Sequence, residues 1–147
     1  MTAQQPDILI YKGQRLPLFS NPLESYYAAG HPRPNFISMN TANWRGYVAT
    51  WQIDAGRFFL TDLNAWLLDS DPEGQNIRRE TGLLEIFPEA EDGLFTSWFT
   101  GWLRAPRGKQ LQYVHMGYSS IYEQDLLIEI LRGHVVQTQV RDNRVPK

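Results

Sequence analysis

The 147-residue chain has no cysteine. That excludes a disulfide framework, thiolate zinc sites, iron–sulfur clusters and a cysteine nucleophile, and it fits a reducing, cytoplasmic setting. No run of 18 apolar residues occurs, so no membrane-spanning helix is expected. Residues 1–7 are polar and lack a basic stretch followed by an apolar one, so they do not read as a secretory signal. Residues 141–147 are short and polar and are expected to fray. Excess charge of one sign is missing too. The net charge is −2, with five basic and seven acidic side chains in residues 1–73 and nine of each in the remainder. Nucleic-acid binders usually carry a basic domain or stripe, so a nucleic-acid partner is not expected. There is no internal repeat, low-complexity tract or linker.

What is present is a hydrophobic fraction of 42%, ordinary for a globular protein, and an aromatic fraction of 13% that includes five tryptophans. One domain over residues 1–147 is expected from length, and at this size roughly 68–70% of the unfolded surface can be buried without staples. Aromatics favour strands and fill β cores. They also build binding surfaces.

Short strands are read at residues 8–11 and 15–19, turning at Lys12-Gly13, with Pro17 assigning the second to an edge. Asn21 as N-cap and Pro22 at the first helical position predict a short helix to Tyr27. The clearest hairpin joins residues 46–53 to 57–63 through Asp54-Ala55-Gly56, read as a three-residue loop. Its end is ambiguous, because Phe59, Leu60, Leu63, Trp66 and Leu67 also fit helical spacing. Residues 69–75 read as a polar loop, 83–87 as a short apolar element stopped by Pro88, and 89–93 as an acidic turn. Residues 95–104 read as a strand with Gly101 inside, Pro106-Arg107-Gly108 as a turn, and 109–115 as an alternating strand. Residues 126–131 and 135–140 read as a hairpin about Arg132-Gly133. A helix is the alternative for the first arm, given the Ser120 to Glu123 capping-box spacing. The fold class is therefore mainly β, with α+β as the alternative: a compact antiparallel sheet, sandwich or open barrel, with one or two short helices.

Residues 98–106, 113–118 and 121–123, together with 46–51 and 60–62, resemble a group of small uncharacterised bacterial proteins. The resemblance covers about two thirds of the chain. It implies a bacterial origin and no activity.

Several constellations could carry chemistry. Asp69, Asp71, Glu73, Gly74 and Glu80 approach a calcium loop, with Pro72 and the early Gly82 departing from the pattern. His31, His115 and His134 share no metal-ligand spacing, and neither a metal nor another cofactor is expected. Gly117-Tyr118-Ser119 begins like a nucleophile elbow but lacks the second glycine, with His115 the candidate base. His115, Tyr118, Tyr122 and Glu123 form the densest polar–aromatic cluster. Arg104, Arg107 and Lys109 interleave with Trp98, Trp102 and Tyr113. The ligand-binding expectation rests on His115, Tyr118, Tyr122, Glu123, Arg104 and Trp98. With no catalytic signature, the chain reads as a non-enzymatic binding or protein-interaction module, with an immunity protein as one concrete version. The alternative is a small enzyme or ligand-binding protein with a pocket around His115, Tyr118 and Glu123, joined by Asp62 or Arg104.

Overall fold

The computed structural model describes residues 3–144. The chain is mainly β, as expected, and all its strands belong to one sheet. These are β1 (Asp7–Tyr11), β2 (Gln14–Leu18), β3 (Tyr47–Asp54), β4 (Arg57–Ser70), β5 (Asn76–Gly82), β6 (Leu94–Phe95), β7 (Gly101–Gln112), β8 (Ile121–Leu131) and β9 (His134–Asp142). Two short helices, α1 (Pro22–Ala28) and α2 (Leu83–Ile86), complete it. The strand order is β2-β1-β3-β4-β9-β8-β7, with β5 and β6 also paired to β4, and the sheet does not close into a barrel.

The sheet is mixed rather than wholly antiparallel. β1 lies parallel to β3, Leu9 opposite Trp51, because residues 19–46 carry the chain back across the fold before β3 begins. Parallel neighbours need such a crossover, whereas antiparallel ones need only a tight turn.

Three hairpins close identically, on two-residue turns: Lys12-Gly13, Ala55-Gly56 and Arg132-Gly133. All six residues have positive φ, as the type I′ turn demands, and its twist matches that of the strands. The middle turn is thus one residue shorter than the expected three-residue loop, since Asp54 pairs with Arg57. The last hairpin is the expected one, and its first arm is a strand from Ile121 rather than a helix.

β4 is a single 14-residue strand. Its register against β3 shifts between Thr50, opposite Asp62, and Trp51, opposite Leu60, leaving Thr61 as the extra residue of a bulge. The bulge moves the buried set from Phe58 and Leu60 to Leu63, Ala65 and Leu67, and that shift of phase imitated a helix. Other expectations are corrected in the same way. Residues 106–108 lie within β7 as a bulge rather than a turn, and β7 ends at Gln112. The expected strand over 95–104 is interrupted between β6 and β7, where Thr96 turns its N–H to Phe58 O. Residues 69 and 70 belong to β4, and the apolar stretch at 83 is the single-turn α2. Residues 141 and 142 are strand. The expected fraying of residues 145–147 lies outside the described residues.

The sheet bends so that both halves share one core. Leu9, Trp51, Phe58 and Leu60 of the first half meet Leu103, Ile128 and Ile130 of the second. Trp51 stacks on Phe58 with ring centroids 5.0 Å apart. Each such side chain, fully buried, contributes about 1.5–3 kcal/mol. At one seam two hairpin tips bond to each other, Phe58 N–H to Gly133 O and Val135 N–H to Gly56 O. At the other, Phe19 donates its N–H to Arg104 O across 2.7 Å.

Candidate functional site

The expected site residues do not converge. Tyr118, Tyr122 and Arg104 do come together, around Phe19. Tyr118 stacks on that ring, Tyr122 meets it edge-on, and the Arg104 guanidinium lies 5.1 Å from its centroid. Their polar ends are committed to the fold. Arg104 donates to Asp125, Tyr118 O and Ser120 O, while the Tyr118 hydroxyl accepts from Asn21 Nδ2 and donates to Gln5 O. Asn21 therefore stands at the start of α1 without capping it through its side chain. Tyr118 and Tyr122 line a small cavity of about 140 Å³ that neither His115, Glu123 nor Arg104 lines. Glu123 Oε1 accepts the Lys109 N–H at the β7 bulge. His115 is exposed and meets the Tyr113 ring edge-on. Trp98 is half-buried and packs against the core beside Tyr26, Trp51 and Phe99, with its buried Nε1 unpartnered.

The other constellations also resolve. The calcium-loop reading is overturned: the segment is the β4–β5 hairpin, not a loop leading into a helix. Asp71 Oδ1 accepts the Gln75 N–H, Asp69 pairs with Arg79, and Glu80 is on β5 opposite Trp66. Among the described residues no group of three or more His, Asp or Glu side chains is placed to hold a metal ion. No hydrogen bond joins Ser119 to His115; Ser119 N–H closes a turn on Met116 O. The Arg104–Trp98 interleaving does not form one surface, since Arg104 is held by Asp125 and Trp98 faces the core.

A different place in the fold carries a site. Strand alternation sends Leu63, Ala65 and Leu67 of β4 inward and Asp62, Asn64 and Trp66 outward. β3 does the same with Ala49 and Trp51 against Val48 and Thr50. The outward set forms the floor of a groove of about 490 Å³. Ile8 and Arg15 border it from β1 and β2, Glu80 from β5, and Met39, Asn40 and Asn43 from the loop before β3. That loop is fixed against β4: Ile37 N–H donates to Trp66 O, Trp66 N–H to Gly46 O, and Leu68 N–H to Asn35 O.

The groove's polar groups have little to bond within the fold. Asp62 Oδ1 accepts only the N–H of Leu63, and no hydrogen bond or ion pair engages the side chains of Arg15, Asn64 or Glu80 among the described residues. Asn43 Oδ1 is buried and has no partner. Buried polar atoms are nearly always bonded, and each exception calls for an explanation. Of the residues singled out in the sequence as candidates for chemistry, Asp62 and Glu80 lie here, Glu80 as part of the calcium-loop pattern. Arg15, Asn43 and Asn64 carried no signal, because they come from separate segments that only the folding of the sheet brings together.

Behind the groove the loop is anchored by buried charge. Asp7 Oδ1 accepts from Arg45 Nη2 and Ala49 N–H, and Oδ2 from Trp51 Nε1. Burial pushes the Asp7 carboxyl above its ordinary value, with Arg45 and these hydrogen bonds pulling it back. Tyr47 donates its hydroxyl to Glu24, which is also paired with Arg33. Burial raises the Tyr47 hydroxyl well above its ordinary value, so it stays a donor.

No protein family matches the chain, and no significant match exists among curated proteins or solved structures.

Proposed function

We propose that the chain is a non-enzymatic binding module that holds a small, donor-rich polar ligand in the groove over β3 and β4. The observation that carries the reading is the set of largely unengaged acceptors facing one cavity, Asp62, Glu80 and Asn64. Hydroxyl or amine groups satisfy such acceptors, and the half-buried Trp66 supplies a flat face for their C–H side or for a cation. The volume falls within the usual range for small-molecule sites, about 300–1,000 Å³. Binding is favoured over catalysis because, among the described residues, neither Asp62 nor Glu80 shares a side-chain hydrogen bond with a nucleophile or a second acid–base group. The reading places the module in a bacterial cytoplasm, supported by the cysteine-free composition and by the resemblance to small bacterial proteins.

A protein partner is the second reading. It is favoured by Trp44, Tyr113 and Met116, which are 51, 49 and 52% exposed. Their loops flank the N-terminal segment, where Gln5 N–H bonds Ala42 O and Gln4 N–H bonds Gly117 O. Exposed aromatic and methionine side chains are enriched in interfaces.

Thermal unfolding against a library of sugars, amines and nucleotides tests the first reading. A ligand specific for the folded state adds about 2.7 kcal/mol at a hundredfold excess over its dissociation constant. The expected hit vanishes in Asp62→Ala and survives in His115→Ala. The reverse pattern, or no hit at all, overturns the groove reading, and the protein-partner reading then takes its place.

A further inference from the structure

We propose that β9 is a self-association edge, on which a second copy of this chain pairs antiparallel to extend the sheet. This inference does not rest on the groove. β9 pairs with β8 along its whole length, from Leu131 opposite His134 to Gln124 opposite Asp142. On its other side it meets β4 only where Arg57 lies opposite His134. Beyond that point β4 turns its edge to β6 and then β5, and among the described residues no strand pairs with the rest of β9 on that side. Asn143 donates its N–H to Glu123 O, toward β8. By the two-residue period of an antiparallel ladder, residues 137, 139 and 141 face β8 likewise, and the backbone groups of Thr138, Val140 and Asp142 point away.

The other open strands are guarded and this one is not. β2 carries Pro17 in its ladder and lies against β7. β5 carries Arg78, Arg79 and Glu80 in succession. Proline and charge are the usual devices against edge pairing. β9 has no proline or lysine, and its only Asp, Glu or Arg side chains are Arg141 and Asp142 at its end. Its surface is also unfinished. Val140 lies opposite the buried Leu126 yet is 55% exposed, and Val136 is 51% exposed.

The strand complements itself. An antiparallel pair centred on Val140 sets Val140 against Val140 of the second copy, Thr138 against Asp142, and Gln139 against Arg141. The outward-pointing residues of each copy then meet one another, as the ladder requires. Both charged residues face neutral hydrogen-bonding partners, and no like charges stand opposite. Closed two-fold pairing of this kind uses the same patch on both copies.

Sedimentation of the full chain over a wide concentration range, with amide exchange, tests the proposal. The expected particle has twice the 17.0 kDa chain mass, with the Thr138, Val140 and Asp142 amides protected. Thr138→Pro removes one outward donor without touching the β8 ladder, and Val140→Lys sets two charges face to face. Both are expected to be folded monomers by circular dichroism. A wild-type chain that stays monomeric at every concentration overturns the proposal. So does a dimer that survives both substitutions, or one whose three amides exchange as freely as in solvent.

Discussion

The Asp7 carboxylate and the Arg45 guanidinium meet at 2.7 Å in a place water does not reach: the Asp7 side chain is 0% exposed and that of Arg45 7%. Arg45 also donates to Gln5 O, so one side chain joins the segment before β1 to the segment before β3. Removing one member of a buried pair strands the other, at about 3–5 kcal/mol. Asp7→Ala is therefore expected to lower stability by that amount in urea unfolding. The double variant Asp7→Leu, Arg45→Met, which leaves no buried charge, should recover the part owed to the stranded guanidinium, while the Ala49 and Trp51 N–H groups stay without their acceptor. If the single variant costs under about 1 kcal/mol, the usual exposed-pair value, the pair does not hold the segments together.

The groove should be separable from the fold. The side chains of Asn64 and Glu80 are exposed and make no hydrogen bond or ion pair among the described residues. Surface substitutions away from special features usually fall within about ±0.5 kcal/mol. Asn64→Ala and Glu80→Ala are expected to leave the unfolding midpoint in place while weakening a groove ligand at least tenfold, as read by calorimetric titration. Unaltered affinity in both would move the ligand off the floor of the sheet.

How much of this was legible follows from how local each signal is. The β3–β4 and β8–β9 hairpins could be read because alternation and a glycine turn lie within a dozen residues of one another. The end of β4 could not, because the bulge at Thr61 shifts Leu63 and Ala65 onto the face that Phe58 and Leu60 had occupied. The parallel pairing of Leu9 with Trp51 depends on a crossover of nearly thirty residues, which no periodicity records. Tyr118 and Tyr122 drew notice as a dense cluster, yet their proximity reflects the clasp around Phe19 rather than an open cavity lined by His115. The groove gathers Arg15, Asn43, Asp62 and Glu80 from separate segments, so only the register of the sheet brings them together.

Asp125 should set part of the acid limit of stability. Burial alone would raise its carboxyl, but hydrogen bonds from Asn143, Arg141 and Arg104 outweigh it and hold the folded value below the ordinary one. The unfolded value is about 3.9. A depressed folded value means that the unfolded state binds the proton more readily. The contribution of Asp125 is thus complete above the unfolded value and drains away as pH falls through the folded one. Glu85 acts in the same direction, drawn down to about 2 by hydrogen bonds from Arg79 and Thr81. Asp7 acts oppositely, since burial raises its folded value, and its contribution is lost as pH rises. Urea unfolding of wild type and Asp125→Asn from pH 5 downward separates them. The gap between the curves should narrow steadily with acidification; a constant gap would mean that the Asp125 charge does not matter.

Gly46 ties backbone geometry to the groove. Its φ is +80°, and an added Cβ would lie 2.7 Å from Ile37 O and 2.9 Å from Ile37 N. These are backbone atoms, and Ile37 cannot swing aside while its N–H is bonded to Trp66 O. Gly74 makes a matched control: its φ is +82°, with nothing within 4 Å of an added Cβ. Strain at positive φ costs about 1–3 kcal/mol for a residue with a side chain, so Gly74→Ala should lose that much. Gly46→Ala must in addition push residues 35–37 away from β4, displacing the groove wall that carries Met39 and Asn43. It is expected to lose clearly more stability than Gly74→Ala and to weaken any groove ligand, which Gly74→Ala leaves alone. Equal losses in urea unfolding would show that the close approach of Ile37 to Gly46 contributes nothing, and that the loop over the groove is held by the Arg45 anchor instead.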